Sequence, residues 1–450
     1  MSETIGISDI YPYVPRMRID VETIAKNRIE TKPDLERHFT RALAVTGQKA
    51  IRFPAPGEDS ATMAAEAAYS LLSVHSGKAL ANLRYIIVGT ETSVDFSKPI
   101  AAYVQGMLQR SGLPVPESLT TFQTQHACAG ATLGMLSACG LIGMSHHDES
   151  ALVLATDIAR YETNSTAEIT QGAGSAALLI EKNPQLIALD VANCGYCSRD
   201  VDDFFRPTNS ITAKVKGSYS MECYHASFDD ALLDLSSKLS MSPQDILESA
   251  DFVALHTPFR NMPEMAMKRA LQKYCGKDEA ASIAWLTERG FYKALDQLAL
   301  IGNAYSASLF LYLAFLLNER YAKLGRNIIG KSILLVSYGS GNTMIMLKGT
   351  IAPHAPEIIS QWDLEALQNS FIPSSFEAYH HWTTSSGHGY GEKVTASEAT
   401  SRFRLVGIRH DGYREYDHAH ITGESEKENT AQNHMQQSQT FPHRDGSKRS

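Results

Sequence analysis

Short apolar runs alternating with helix-patterned stretches predict an α/β protein built of stacked sheet and helix layers. Three observations carry this prediction. β-branched and apolar runs, read as buried strands, recur at residues 85–88, 151–154, 176–180, 186–191, 252–255 and 333–336. Helical patterns fill the intervals between them. Finally, the runs at 85–88 and 252–255 each deliver one ionisable side chain just past the strand end, Glu91 and His256, where α/β sheets commonly build sites. That parallel is compatible with two related halves meeting near residue 183, although identity between them is too low to define a repeat.

Taken in chain order, Asp59-Ser60 is a capping pair for a helix with Ala64, Ala67, Ala68, Leu71 and Leu72 on one face. After the strand at 85–88, the β-prone stretch Thr121-Phe122-Gln123-Thr124 breaks at Cys128 into a helix of small and apolar residues. That helix carries Leu133, Leu136, Leu141 and Ile142 and is almost uncharged until Asp148. Strands follow at 151–154, 176–180 and 186–191, then helices at 227–239, 263–274 and 304–324, with a strand at 252–255 between the first two and another at 333–336 after the last. From residue 422 the chain turns polar and lacks the apolar residues that offset ordering entropy, so 422–450 is expected to be a disordered tail.

The 450 residues suffice for a large core, and 43% hydrophobic with 20% charged residues is ordinary for a globular protein. A net charge of −8 without a Lys/Arg stripe argues against nucleic acid as a partner. No secretory leader is visible, and the longest apolar run, 309–317, is too short to span a bilayer; no membrane association and a cytoplasmic location are expected. The six cysteines, at 128, 139, 194, 197, 223 and 275, are too sparse for a disulfide scaffold. Cys128 and Cys139 would stand roughly 16 Å apart along one helix and cannot pair. Cys194-Gly195-Tyr196-Cys197 has redox or zinc spacing but no second ligand pair, so it reads as two ordinary thiols and no metal is expected.

Cys128 opens the functional reading. At a helix N-terminus, unsatisfied N–H groups and the macrodipole favour a thiolate, although a lone cysteine is more often a small buried hydrophobe. Alone, Glu91 is equally a strand-end carboxylate, His256 a satisfied core histidine, Asn303 a residue near a helix cap, and Ser337-Tyr338-Gly339-Ser340-Gly341 a tight turn. Together they are the parts of a covalent acyl-transfer site.

Their order resembles the hydroxymethylglutaryl-CoA synthase family. The likeness extends over residues 4 to 420 through Gly6-Ile7-Ser8-Asp9-Ile10-Tyr11-Pro12, Ala155-Thr156-Asp157-Ile158-Ala159-Arg160-Tyr161, Thr170-Gln171-Gly172-Ala173-Gly174, Asp203-Phe204-Phe205-Arg206-Pro207 and Ser220-Met221-Glu222-Cys223-Tyr224. This resemblance implies a thiolase-like five-layer α-β-α-β-α fold of two halves, 1–182 with Glu91 and Cys128 and 183–421 with His256, Asn303 and Ser340, normally a homodimer. It implies condensation of acetyl-CoA with acetoacetyl-CoA and water to 3-hydroxy-3-methylglutaryl-CoA, in the mevalonate route to isoprenoids, with acyl-CoA substrates and no further cofactor. Cys128 would carry the acetyl group, Glu91 would remove a methyl proton, and His256 would orient the acceptor ketone with Asn303 bonding nearby. Backbone N–H groups of Cys128 and Ser340 are the candidate oxyanion donors. Thr170 and Ser220 match positions close to the acyl-CoA, with Asp157, Tyr161, Asp203 and Arg206 behind them.

Three departures from the family pattern stand out: Ala129 where a Tyr commonly follows the cysteine, His126 where Glu or Asn is usual, and Asn261 and Met265 where lysines often hold CoA phosphates, with Arg260 and Lys268 nearby. Three rivals remain: a sister enzyme of polyketide β-branching acting on carrier-protein-bound acyl groups, a ketoacyl synthase or thiolase, and an inactive thiolase-fold scaffold. Glu91 and the motif order argue against the second; intact Glu91, Cys128 and His256 argue against the third.

Overall fold

Strands whose every face is covered need no alternation of apolar and polar residues, and the central strands here are of that kind. The computed structural model describes residues 4–75, 77–385, 387–395 and 400–418; the polar tail expected from 422 lies outside the described residues. Ten strands form one mixed sheet: β1 (Ile5–Tyr13), β2 (Leu83–Gly89), β3 (Thr120–Thr124), β4 (Ser150–Ala159), β5 (Gly172–Lys182), β6 (Ile187–Leu189), β7 (Gly195–Ser198), β8 (Phe252–Leu255), β9 (Ser332–Gly339) and β10 (Thr343–Ile351). The order is β8-β9-β10-β6-β1-β5-β4-β2-β3, with β7 beside β10. On one side of the β1–β6 junction, β2 pairs parallel with β4, and β4–β5 and β5–β1 are antiparallel. On the other, β8 pairs parallel with β9, and β9–β10 and β10–β6 are antiparallel. The same directions recur in the same chain order.

Side chains of β4 and β5 divide by alternation between two cores, as the two-residue period of a strand requires. Leu152, Leu154, Ala177 and Leu179 face helix α1 (Ser60–Val74), while Ala151, Val153, Leu178 and Ile180 belong to the core around helices α2 (Gly130–Met144) and α5 (Ser308–Leu324). Asp59 caps α1 with its carboxylate on the Ala61 and Thr62 N–H groups, as the sequence indicated. α5 is buried on all sides from Ser308 to Leu317, which accounts for its unbroken apolar run. Between these stand α3 (Gly217–Leu239), packed on β7 and β10, and α4 (Met262–Cys275), packed against α3. Residues 127–144 have the length and apolar character of a membrane span; here they are α2 and its approach, packed against β2, β4 and β5.

Three elements differ from the sequence reading. α3 begins ten residues early, because Cys223 and Tyr224 extend its buried face. The run 186–191 yields only a three-residue strand before a 3-10 turn at Val191–Asn193. Gly130, not Cys128, opens α2.

Candidate active site

Glu91 follows β2 by two residues and His256 follows β8 directly, so both leave the sheet at C-terminal strand ends. The backbone N–H of His256 still donates to the Val336 carbonyl at 2.9 Å, extending the β8–β9 ladder by one residue. Cys128 reaches the site by a different device, a tight turn ahead of α2. Ala127 takes φ +41° there, a left-handed conformation costing a non-glycine residue roughly 1–3 kcal/mol, and the Ala129 N–H donates to the His126 carbonyl at 2.9 Å. The glycine-rich turn after β9 abuts this loop. A Cβ at Gly339 would lie 2.4 Å from the His126 carbonyl oxygen and 2.9 Å from the Ala129 nitrogen, so only glycine permits the approach.

The Cys128 Sγ–H donates to Glu91 Oε1 at 3.8 Å, and Arg206 Nη2 donates to Glu91 Oε2 at 2.6 Å. All three are largely buried: the side chains of Glu91 and Arg206 are 7% and 16% exposed, and Cys128 is 7% exposed. Burial pushes the Glu91 carboxyl up to about 8, with Arg206 opposing and Asp157 adding to the rise. Burial, then the Glu91 carboxyl, push the Cys128 thiol well above its ordinary range. This corrects the expected resting thiolate: the cysteine stands ahead of the helix, and its hydrogen-bond partner is an acid rather than a cation.

Asp157 anchors this group. Its Oδ1 accepts from the Glu91 and Thr92 N–H groups at 2.9 and 3.1 Å and from the Thr90 and Thr92 hydroxyls at 2.8 and 2.6 Å. Its Oδ2 accepts from the Ser306 N–H at 3.0 Å and the Ser306 hydroxyl at 2.5 Å. Tyr161, Phe204 and Tyr305 form edge-to-face contacts at 5.6–6.4 Å in the small core that contains Cys128. Asn303 joins through Nδ2, 3.5 Å from the Tyr161 hydroxyl, while its Oδ1 accepts from the Tyr305 N–H and Ser308 hydroxyl, leaving the NH2 as its donor. Thr170 lies beside it, its carbonyl accepting the Asn303 N–H at 3.0 Å and its own hydroxyl donating to Ala167.

A second group ties the loop before α3 to the glycine-rich turn. Asp203 accepts from the hydroxyls of Ser220 and Tyr338, each at 3.0 Å, and from the Gly341 N–H at 2.8 Å, with Ser340 half-buried in the same turn. His256 is buried, its carbonyl accepts from the Tyr224 hydroxyl at 3.3 Å, and its Nδ1 has no hydrogen-bond partner among the described residues. Burial lowers its pKa to about 3, so the ring is neutral.

Sequence reading passed over Tyr305, Ser306 and Thr92, and took Gly339 only as part of a tight turn. Their signal is spatial, a shared carboxylate or a close backbone approach, and leaves no pattern in the chain. Among the departures, Asn261 bonds the Val45 carbonyl at 3.0 Å, and Arg260 and Lys268 both pair with Glu264 and with a further acid, Asp296 and Glu279 respectively. Burial lowers the pKa of half-buried His126.

The sheet, the carboxyl and imidazole at its strand ends, and the thiol in the turn before α2 describe a thiolase-like condensing enzyme. A family model for the hydroxymethylglutaryl-coenzyme A synthase N terminus matches residues 2–185. The hydroxymethylglutaryl-CoA synthase of Enterococcus faecalis is 31% identical over 338 residues, covering 75% of this chain and 80% of that one. PksG of Bacillus subtilis, a polyketide-biosynthesis 3-hydroxy-3-methylglutaryl-ACP synthase, is 27% identical over 345 residues, covering 74% and 78%. Among solved structures, MvaS in complex with 3-hydroxy-3-methylglutaryl coenzyme A superposes with a TM-score of 0.78 at 32% identity, covering 93% of this chain and all of that one. The chain belongs to the hydroxymethylglutaryl-CoA synthase family of acyltransferase-type condensing enzymes.

Proposed function

We propose that this protein condenses acetyl-CoA with acetoacetyl-CoA and water to give 3-hydroxy-3-methylglutaryl-CoA and CoA, on the way to mevalonate and isoprenoids. The observation that carries the reading is the Cys128 Sγ–Glu91 Oε1 contact of 3.8 Å, which sets an acid–base group against the thioester to be formed. The Cys128 sulfur attacks the acetyl thioester, the oxyanion is met by the backbone N–H groups of Cys128 and Ser340, and the acetyl–sulfur bond to CoA breaks as the thiol proton leaves with the CoA thiol. Glu91 then takes a methyl proton, and the resulting carbanion attacks the acceptor ketone, which accepts hydrogen bonds from neutral His256 and from Asn303 Nδ2. Water finally hydrolyses the enzyme thioester and makes the condensation irreversible in practice. The family's homodimer, a cytoplasmic location and the absence of any metal or further cofactor belong to the same proposal.

The test is to mix protein with both CoA substrates, follow loss of the acetoacetyl enolate absorbance, and identify the product by mass spectrometry. Hydroxymethylglutaryl-CoA that vanishes in Cys128→Ala supports the reading. A second reading, condensation of carrier-protein-bound groups, draws on the likeness to PksG and on Arg260 and Lys268, whose charges are already met by acids rather than free for a CoA phosphate. Acetylated Cys128 without turnover of CoA substrates would favour it.

A further inference from the structure

A buried carboxyl that must act as a base needs something to hold it in place and charged, and Arg206 is built for this. It rises from the Phe204–Phe205 strand, which pairs with Lys214–Val215 and so fixes the backbone beside it. Its Nη2 reaches Glu91 Oε2 at 2.6 Å while Oε1 is left toward Cys128, and its guanidinium lies 5.9 Å from the Tyr305 ring centroid. The buried Nε bonds nothing among the described residues, so Glu91 is the side-chain partner of this cation. We propose that Arg206 is a positioning residue for carbon–carbon bond formation: it fixes the Glu91 carboxylate so that Oε1 alone faces the acetyl-Cys128 methyl group. In that step the methyl C–H bond breaks, its proton passes to Oε1, and its electron pair forms the new bond to the acceptor carbonyl carbon, whose oxygen becomes an alkoxide.

The groups facing Glu91 are Asp157, whose negative charge disfavours its ionisation, the Cys128 thiol, whose hydrogen bond favours it, the neutral phenols of Tyr161 and Tyr305, and Arg206. Arg206 is the cation among them, and it also lowers the thiol pKa. Removing it therefore takes away the positive charge that opposes burial at both Glu91 and Cys128.

This inference rests on the condensation reading for its activity arm, and a second arm is independent of any acyl substrate. In Arg206→Met the acid limb of the condensation rate should move up by about one pH unit, a loss of about tenfold at pH 7, with the KM for the acceptor unchanged. Iodoacetamide labelling of Cys128, followed by mass spectrometry against pH, should shift the same way, and Arg206→Lys should restore most of both. A uniform fall in rate with neither profile displaced, or a loss carried by KM, overturns the proposal. If the wild type turns over no CoA substrate, the functional reading fails, and the labelling profile decides Arg206: a shift supports its role, and an unmoved profile overturns it.

Discussion

Gly339→Ala tests how the two sides of the site are held together. The added methyl carbon would lie 2.4 Å from the His126 carbonyl oxygen, whereas ordinary contact begins at 3.4 Å, so about 1 Å must be opened between the turn after β9 and the loop carrying Cys128. Neither side has a flexible side-chain end to yield, because the nearest atoms are the His126 oxygen, the Ala129 nitrogen and the Ala129 Cβ. Overpacking of this kind costs about 1–3 kcal/mol of stability. A reacting group misplaced by about 1 Å loses about 10²-fold in rate, equivalent to about 2.7 kcal/mol at the barrier. Acetylation of Cys128 by acetyl-CoA, sampled by rapid quench and mass spectrometry, should therefore slow about 10²-fold beside a modest fall in Tm. If Gly339→Ala acetylates at the wild-type rate with an unchanged Tm, the turn does not set the position of the nucleophile and the reasoning is wrong.

Other outcomes follow from the same geometry. Glu91→Ala should still form acetyl-Cys128 but lose about 10²–10⁴-fold in condensation; failure to acetylate at all would refute its assignment as the methyl-proton base. Wild-type condensation should rise with pH until Glu91 is ionised, near its value of about 8. Because that folded value exceeds the ordinary 4.5, the folded state keeps a proton the unfolded chain releases, and stability from this group falls as pH rises between the two. Glu91→Gln should thus gain Tm over wild type across that window, and an equal difference at all pH values would contradict the burial account. His256 runs the other way: its pKa falls from 6.5 to about 3, so stability present at neutral pH drains as pH drops through that range, by at most about 1.4 kcal/mol per unit. A His256→Gln protein should show a flatter acid limb in thermal melts. Gly140→Ala, at an exposed α2 position where a Cβ meets nothing within 4 Å, should stabilise by about 0.4–1 kcal/mol and leave acetylation unchanged; a lower Tm would mean α2 is constrained there in a way its open surroundings do not show.

How much could be read without the fold depends on how local each cause is. The strand at 252–255 and the helix capped by Asp59 were legible to the residue, because burial on both faces and a capping box each write a contiguous pattern. Glu91, Cys128 and His256 stood out as residue types at strand and helix ends. The layered α/β class and the chemical parts were therefore written along the chain. Which parts meet, and in what state, came from packing. Arg206 lies 115 residues beyond Glu91, and Ser306 lies 149 beyond Asp157, yet each pair shares a hydrogen bond. The protonated thiol, the neutral imidazole and the carboxyl raised to about 8 all follow from desolvation, a property of everything packed around a group rather than of its chain neighbours. The turn that displaces Cys128 from its helix exists because Gly339, 211 residues further along the chain, leaves room for it.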